Sequence, residues 1–285
     1  MGPDESTQPA LLRMENPMSR AFTLASLFGV SRPVLGGMLM PPLLGAPRNT
    51  MSVFEIADRV VEEARAFQAA GVNGITLENV GDNPFPRDKA ADETVAAFSI
   101  IAAAVRKAVD IPIGINVMRN SWSAAMAIAA AVDAQYVRIN VLGDVLATDQ
   151  GLIQGCASDL LRYRKYLGAD RVRIFGDVDC KHAGPITQRP LEVVARDTAY
   201  RQMADVLLVT GPDSDTPPAL SDIETVKTAV PDVPVVIASG MSDESIDLVK
   251  ACDGTTIGTF ARNWDIDGPI NHETVRDFVS RVRQL

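Results

Sequence analysis

From residue 33 onward the chain alternates two textures: short runs rich in Val, Ile and Leu, and longer Ala-rich stretches with helical spacing. The short runs fall at 33–40 (PVLGGMLM), 72–79 (VNGITLEN), 111–118 (IPIGINVM), 135–142 (QYVRINVL), 171–178 (RVRIFGDV), 204–211 (ADVLLVTG), 233–240 (VPVVIASG) and 254–259 (GTTIGT). Several are apolar almost throughout, the pattern of strands covered on both faces. Between and after them, helices are predicted over about 52–70, 91–109, 122–132, 156–167, 190–202, 219–229, 243–251 and 272–284. Strands alternating with helices of that length imply parallel βαβ units. Eight of each in strict alternation predict a single (β/α)8 TIM barrel rather than an open doubly wound sheet, and 285 residues suit that fold. Residues 1–20 are expected to form a flexible arm and 21–285 the barrel domain.

Strand after strand ends in polar residues or glycine: Glu78 and Asn79, Asn116, Asn140, Asp177, Thr210, Ser239 and Gly240. The helix-to-strand turns at the other end are blander (AAGV, VDIP, VPDVP). In a TIM barrel the strand C-termini and the loops after them build the active site. That asymmetry places the segment DVDCKHAGP (177–185), which leaves the fifth predicted strand, in the mouth of the barrel.

Composition narrows the partners. A net charge of −9 and a pI near 4.8 argue against binding nucleic acid or an anionic membrane by bulk electrostatics, while leaving room for a local basic pocket. Cys156, Cys180 and Cys252 lie far apart and form no CxxC pair, so neither a disulfide framework nor a zinc knuckle is indicated. Cys156 and Cys180 read as packing residues. No run of eighteen apolar residues exists, and the start MGPDESTQPALLR is unlike a signal peptide. The expected location is therefore the cytoplasm.

The loops after the seventh and eighth strands of TIM barrels commonly hold phosphate on glycine N–H groups and a helix N-terminus. Here those loops read IASGMSDES (237–245) and IGTFAR (257–262), which makes Gly240, Ser242, Gly258 and Thr259 candidate anion ligands. The competing reading is that the glycines turn the chain and Ser242 caps a helix. In the fifth loop, Lys181 and His182 are the candidate proton-transfer groups; His272, the other histidine, falls at the start of the last helix. Arg138 and Asn140 are two apart and point to one face, and an unpartnered arginine under the helices is costly, so both are expected inside the barrel. There Arg138 either pairs with Glu78 or Asp177 or holds a substrate oxyanion. Carboxylates on separate strand ends (Glu78, Asp82, Asp149, Asp177) are a setting for Mg²⁺ or for a general base; loop capping by Asp82 and Asp149 is the alternative. No HxH or repeated acidic spacing names a metal ligand set.

The stretches GITLENVGDNPF (74–85), IGINVMRNSWSAA (113–125), YVRINVLGDVLATDQGLIQG (136–155), DVDCKHAGP (177–185) and VLLVTGPDSDT (206–216) resemble the BtpA/SgcQ family. The likeness spans about residues 33–283, and the combination of ENVGD, TDQGLI and DVxxKH is more specific than any one motif. It implies a barrel related to the ribulose-phosphate-binding group. Relatives carry a first-strand pattern of the type M-[IV]-H-L-x-P-L-P-G, whereas MLMPPLLGAP (38–47) places Leu39 at the histidine position.

The resulting expectation is an enzyme acting on a small phosphorylated carbohydrate or related metabolite, of isomerase, aldolase or lyase type. Glu78, Asp177, Lys181 and His182 are the catalytic candidates; Asn116, Arg138, Asn140, Asp149, Thr210, Ser239, Gly240, Ser242, Gly258 and Thr259 are the binding candidates. The alternative is a non-catalytic assembly or regulatory factor that keeps a phosphate-ligand pocket, a reading that Leu39 favours. A homo-oligomer is the expected assembly.

Overall fold

The computed structural model describes residues 22–87 and 89–285. The arm expected over residues 1–20 lies outside the described residues. Eight parallel strands close into a barrel: β1 (Val34–Leu39), β2 (Gly74–Glu78), β3 (Ile113–Asn116), β4 (Tyr136–Ile139), β7 (Arg173–Val178), β9 (Val206–Val209), β10 (Val235–Ile237) and β11 (Gly254–Ile257), with β11 pairing back to β1. Three further short strands, β5 (Val145–Thr148), β6 (Gly151–Gln154) and β8 (Ala183–Pro185), form a separate antiparallel sheet. Each predicted strand has its counterpart in the barrel, so the (β/α)8 fold holds.

The helices are α1 (Leu24–Phe28), α2 (Val53–Ala69), α3 (Asp92–Ala108), α4 (Trp122–Val132), α5 (Ala157–Tyr166), α6 (Leu191–Arg196), α7 (Leu220–Ala229) and α8 (His272–Val282). Two expected helices come out differently. The segment 190–202 continues from α6 into a π-turn at Asp197–Arg201, and 243–251 holds a 3-10 helix at Ile246–Ala251. α1, which sequence patterning did not single out, is held by a capping box: Thr23 Oγ1 accepts from Ser26 N–H (3.1 Å) and Ser26 Oγ from Thr23 N–H (3.2 Å).

The outward residues of the strands, among them Val34, Ile75, Ile115, Val137, Ile174, Leu207 and Ile257, join the helices in the main core. The inward residues divide the barrel interior into two halves. The N-terminal half is filled by Leu35, Tyr136, Phe175, Val206 and Val236, closed from below by Phe22, Leu24 and Phe28. Tyr136 and Phe175 stack at 4.4 Å between centroids, and Phe28 meets both edge-on. The neighbouring strands make room: a Cβ on Gly114 would lie 2.1 Å from the Tyr136 ring, and one on Gly74 would lie 2.7 Å from that of Phe28. The Tyr136 hydroxyl is bonded to Thr76 Oγ1 (2.8 Å) and donates to the carbonyl of Ile75 (3.0 Å), so the buried phenol has its partners.

Among the described residues no helix is long and apolar enough to cross a membrane.

Candidate active site at the barrel mouth

One step up the same strands, the inward positions turn polar. Arg138 follows Tyr136, Asp177 follows Phe175, Glu78 follows Thr76 and Asn116 follows Gly114, by the two-residue period of a strand. Arg138 is buried and donates from Nε and Nη2 to the two oxygens of Asp177 (3.0 Å each) and from Nη1 to Glu78 Oε1 (3.3 Å). The bidentate geometry is the strong form of this pair, and the two carboxylates drive the Arg138 pKa upward against its desolvation. Asn140 donates to Asp177 Oδ2 (3.0 Å), and Asn116 donates to Asn140 Oδ1 (3.1 Å) and to the carbonyl of Arg138 (3.0 Å). A donor amide therefore faces Asp177 at one end of this chain. At the other, Asn116 Oδ1 is buried with no donor.

This network floors an open cavity of about 670 Å³. Its walls include Glu78, Asn116, Arg138, Asn140, Asp149, Lys181 and His182 on one side, and Leu39, Ser239, Gly240, Gly258 and Thr259 on the other. Asp177 lies behind Arg138, on the wall of a second cavity of about 240 Å³. Thr210 and Ser242 fall outside the lining of the larger one: Thr210 donates to the carbonyl of Asp179 (3.4 Å), and Ser242 Oγ accepts from Glu244 N–H (3.3 Å) in a local turn. Asp82 serves the loops, accepting from Leu43 N–H (2.7 Å) and from Asn79 Nδ2 (2.8 Å).

Lys181 is placed by the extra sheet. The hairpin of β5 and β6 rises from the loop after β4, and β8, just after Lys181 and His182, pairs with β5. Leu146, Ile153, Val141 and Cys180 pack beneath it. Asp179 (φ 59°) and His182 (φ 54°) take the left-handed conformation, rare for residues other than glycine, on either side of the lysine. Lys181 is half-buried, and among the described residues no carboxylate lies within 4 Å of its ammonium. Burial first, and the nearby Arg138 second, push its pKa below the ordinary lysine value, against opposing contributions from Glu78 and Asp177. His182 stands at the rim, its pKa lowered by partial burial and by Lys181 and Arg119. Cys180 is buried, and that burial pushes its thiol up to about 12.

The glycine-bearing loops on the other side are already engaged. Gly240 N–H donates to the carbonyl of Ser214 (3.0 Å), and Ser239 Oγ accepts from Gly211 N–H (2.8 Å). A Cβ at Gly240 (φ 65°) would sit 2.0 Å from the backbone of Thr216, so close packing of the 213–217 loop accounts for this glycine. Thr259 Oγ1 donates to Asp215 (2.7 Å), which puts a carboxylate beside the expected phosphate position.

Arg119 lines the cavity and was not singled out by sequence pattern, because it falls one residue past the third predicted strand. Its segment is tightly fixed. Met118 N–H donates to Asn79 Oδ1 (2.7 Å), Asn120 exchanges two hydrogen bonds with the backbone of Val141 (2.8 and 2.9 Å), and Ala90 N–H donates to Ser121 Oγ (2.7 Å). The charge next to a polar strand end was the signal available. Among the described residues no three His, Cys, Asp or Glu side chains gather as a metal-binding group.

The BtpA family model matches residues 30–284. Photosystem I biogenesis protein BtpA of Synechocystis is 36% identical over 263 residues, covering 92% of this chain and 91% of that protein. The chain belongs to the BtpA family. Among solved structures, the BtpA-family barrel is similar to KGPDC from Streptococcus mutans (TM-score 0.56, 10% identity, 90% of this chain and 99% of that one). It is likewise similar to N-(5'-phosphoribosyl)anthranilate isomerase from Pyrococcus furiosus (TM-score 0.54, 14% identity, 89% of this chain and all of that one). At such identities the likeness is one of fold alone.

Proposed function

We propose that this BtpA-family barrel is an enzyme acting on a small phosphorylated carbohydrate or related metabolite, as an isomerase or lyase, with Lys181 as its proton-transfer group. The observation that carries the reading is the state of Lys181: an amine with a lowered pKa and no counter-carboxylate within 4 Å among the described residues, on the wall of an open cavity. Buried polar arrangements of this kind cluster at sites of acid–base chemistry. Glu78 gives one oxygen to Arg138 and lines the same cavity. In this reading the neutral amine takes a proton from carbon next to a substrate carbonyl and returns it to the neighbouring atom, while Asn116 and Asn140 orient hydroxyls. The name of one structural neighbour, N-(5'-phosphoribosyl)anthranilate isomerase, agrees with a phosphorylated substrate by analogy alone.

The test is a thermal-shift and turnover screen of sugar phosphates on the wild type, Lys181→Ala and the surface control Lys165→Ala. The expected result is turnover that falls about 10²- to 10⁴-fold in Lys181→Ala with ligand stabilisation kept, and no change in Lys165→Ala. Stabilisation without turnover in the wild type contradicts the enzyme reading.

One observation favours a second reading. Leu39 puts an apolar side chain on the cavity wall near Gly258, at the position where the family resemblance implies a histidine. A pocket that binds without converting, in a biogenesis role like the one the Synechocystis relative is named for, would accept that residue.

A further inference from the structure

We infer that the anionic group of the ligand is held by Arg119, on the β3 and β7 side of the mouth, and not by the glycine loops after β10 and β11. The inference rests on the phosphorylated-metabolite reading above and assigns its anion subsite.

The argument begins with unmatched charge. Arg119 is 3% exposed. Its Nη1 donates to the backbone carbonyls of Lys181 (3.2 Å) and His182 (3.3 Å), while Nε is buried without an acceptor. Among the described residues no carboxylate pairs with it. Arg138, buried to a similar degree, is met by two carboxylates. A buried guanidinium that faces only carbonyls is costly to keep, because neither its charge nor its donor set is satisfied. The planar fork matches phosphate or carboxylate oxygens. Lys181, also unpaired, stands on the loop after β7 whose carbonyls Arg119 meets, and both cations line the cavity. Nearby, Asn116 Oδ1 is a buried acceptor without a donor. A ligand with an anionic end and a hydroxyl satisfies both groups together: oxygen acceptors for Arg119, a donor for Asn116.

The opposite wall has the reverse character. Gly240 N–H, Ser239 Oγ and Thr259 Oγ1 are all engaged within the protein, and Asp215 stands beside Thr259. An anion there would break existing bonds and face a carboxylate.

The experiment uses the full chain and two probes, inorganic phosphate and glycerol 3-phosphate, with glycerol and chloride at matched ionic strength as controls. Titration calorimetry and melting curves are recorded for wild type, Arg119→Met, Arg119→Lys and Thr259→Val. The expected result is that Arg119→Met weakens phosphate and glycerol 3-phosphate binding by about tenfold or more. Ligand-free, the same variant melts at or above the wild-type temperature, because an uncompensated charge has gone; a merely structural brace would give the opposite shift. Thr259→Val binds as the wild type does. Should Arg119→Met not fold, Arg119→Lys carries the test, since a point charge replaces the fork and affinity falls at least about threefold. Phosphate affinity unchanged in the Arg119 variants but lost in Thr259→Val overturns the placement and leaves the proposed function standing. A wild type that binds neither probe, yet turns over a sugar phosphate through Lys181, overturns the Arg119 subsite alone. A wild type that binds neither probe and turns over nothing overturns both.

Discussion

The two halves of the barrel interior are built from the same strands and behave as opposites. In the lower half, Tyr136 and Phe175 stack, Gly114 and Gly74 clear the space for aromatic rings, and the buried Tyr136 hydroxyl has two partners. Two residues further along, Arg138 and Asp177 replace the rings, and satisfaction becomes incomplete: Arg138 is fully paired, whereas Arg119, Lys181 and Asn116 Oδ1 are not. A close-packed aromatic half supports a polar half whose unmet groups line the cavity. Unsatisfied groups gathered around one open cavity mark a place where something else can bind.

The largest effects should come from breaking either half at its centre. Phe175→Ala is expected to cost about 3–5 kcal/mol in urea unfolding, without altering ligand affinity in the protein that remains folded. Arg138→Met strands Asp177 and Glu78 as unpaired buried carboxylates and is expected to cost about 3–5 kcal/mol. The two losses differ in kind. Adding Asp177→Leu to Arg138→Met should recover part of the stability, because an apolar pair can replace a buried ion pair; no second substitution of that sort repairs Phe175→Ala.

A smaller effect sharpens the contrast between paired and unpaired cations. The folded-state pKa of Lys181 lies below the ordinary lysine value, so between the two values the unfolded chain binds more protons and stability rises with pH. Below that window the full penalty of burying the ammonium is present. Lys181→Met should therefore be more stable than wild type at neutral pH, with the margin shrinking as pH climbs toward the ordinary lysine value. Melting curves across the alkaline range check this; a margin independent of pH would remove the lowered pKa from the account. The smallest effect is expected on the far wall. Ser242→Ala, in a local turn outside the cavity, should stay within about 0.5 kcal/mol of wild type and leave ligand binding unchanged, as measured by urea unfolding and by titration with glycerol 3-phosphate.

Much of this was legible in the sequence. Eight apolar runs gave eight barrel strands, and the two-residue spacing of Arg138 and Asn140 put both inside, where Arg138 meets both of the carboxylates considered for it. What escaped notice did so for physical reasons. Strands of three or four residues at 145–154 and 183–185 are too short to show a period, and TDQG reads equally as a loop or as the turn of a hairpin. The glycines after the seventh and eighth strands matched a phosphate motif, but for Gly240 the constraint is the backbone of Thr216, a contact made across the sequence. Arg119 carries its meaning in an absence, the missing counter-charge, and no linear pattern displays what a side chain fails to meet.

The most direct test of the central claim, that the mouth presents an unpaired lysine of lowered pKa to a ligand, is site-resolved acylation. The protein is treated with a small amount of acetic anhydride at a series of pH values, with and without glycerol 3-phosphate, and modification of Lys181 and Lys165 is followed by mass spectrometry. Lys165, an exposed lysine beside Asp170, supplies the reference. The account predicts that Lys181 reaches its plateau of reactivity at a lower pH than Lys165 and that glycerol 3-phosphate protects Lys181 alone. Equal pH profiles for the two lysines, with no protection, would contradict it.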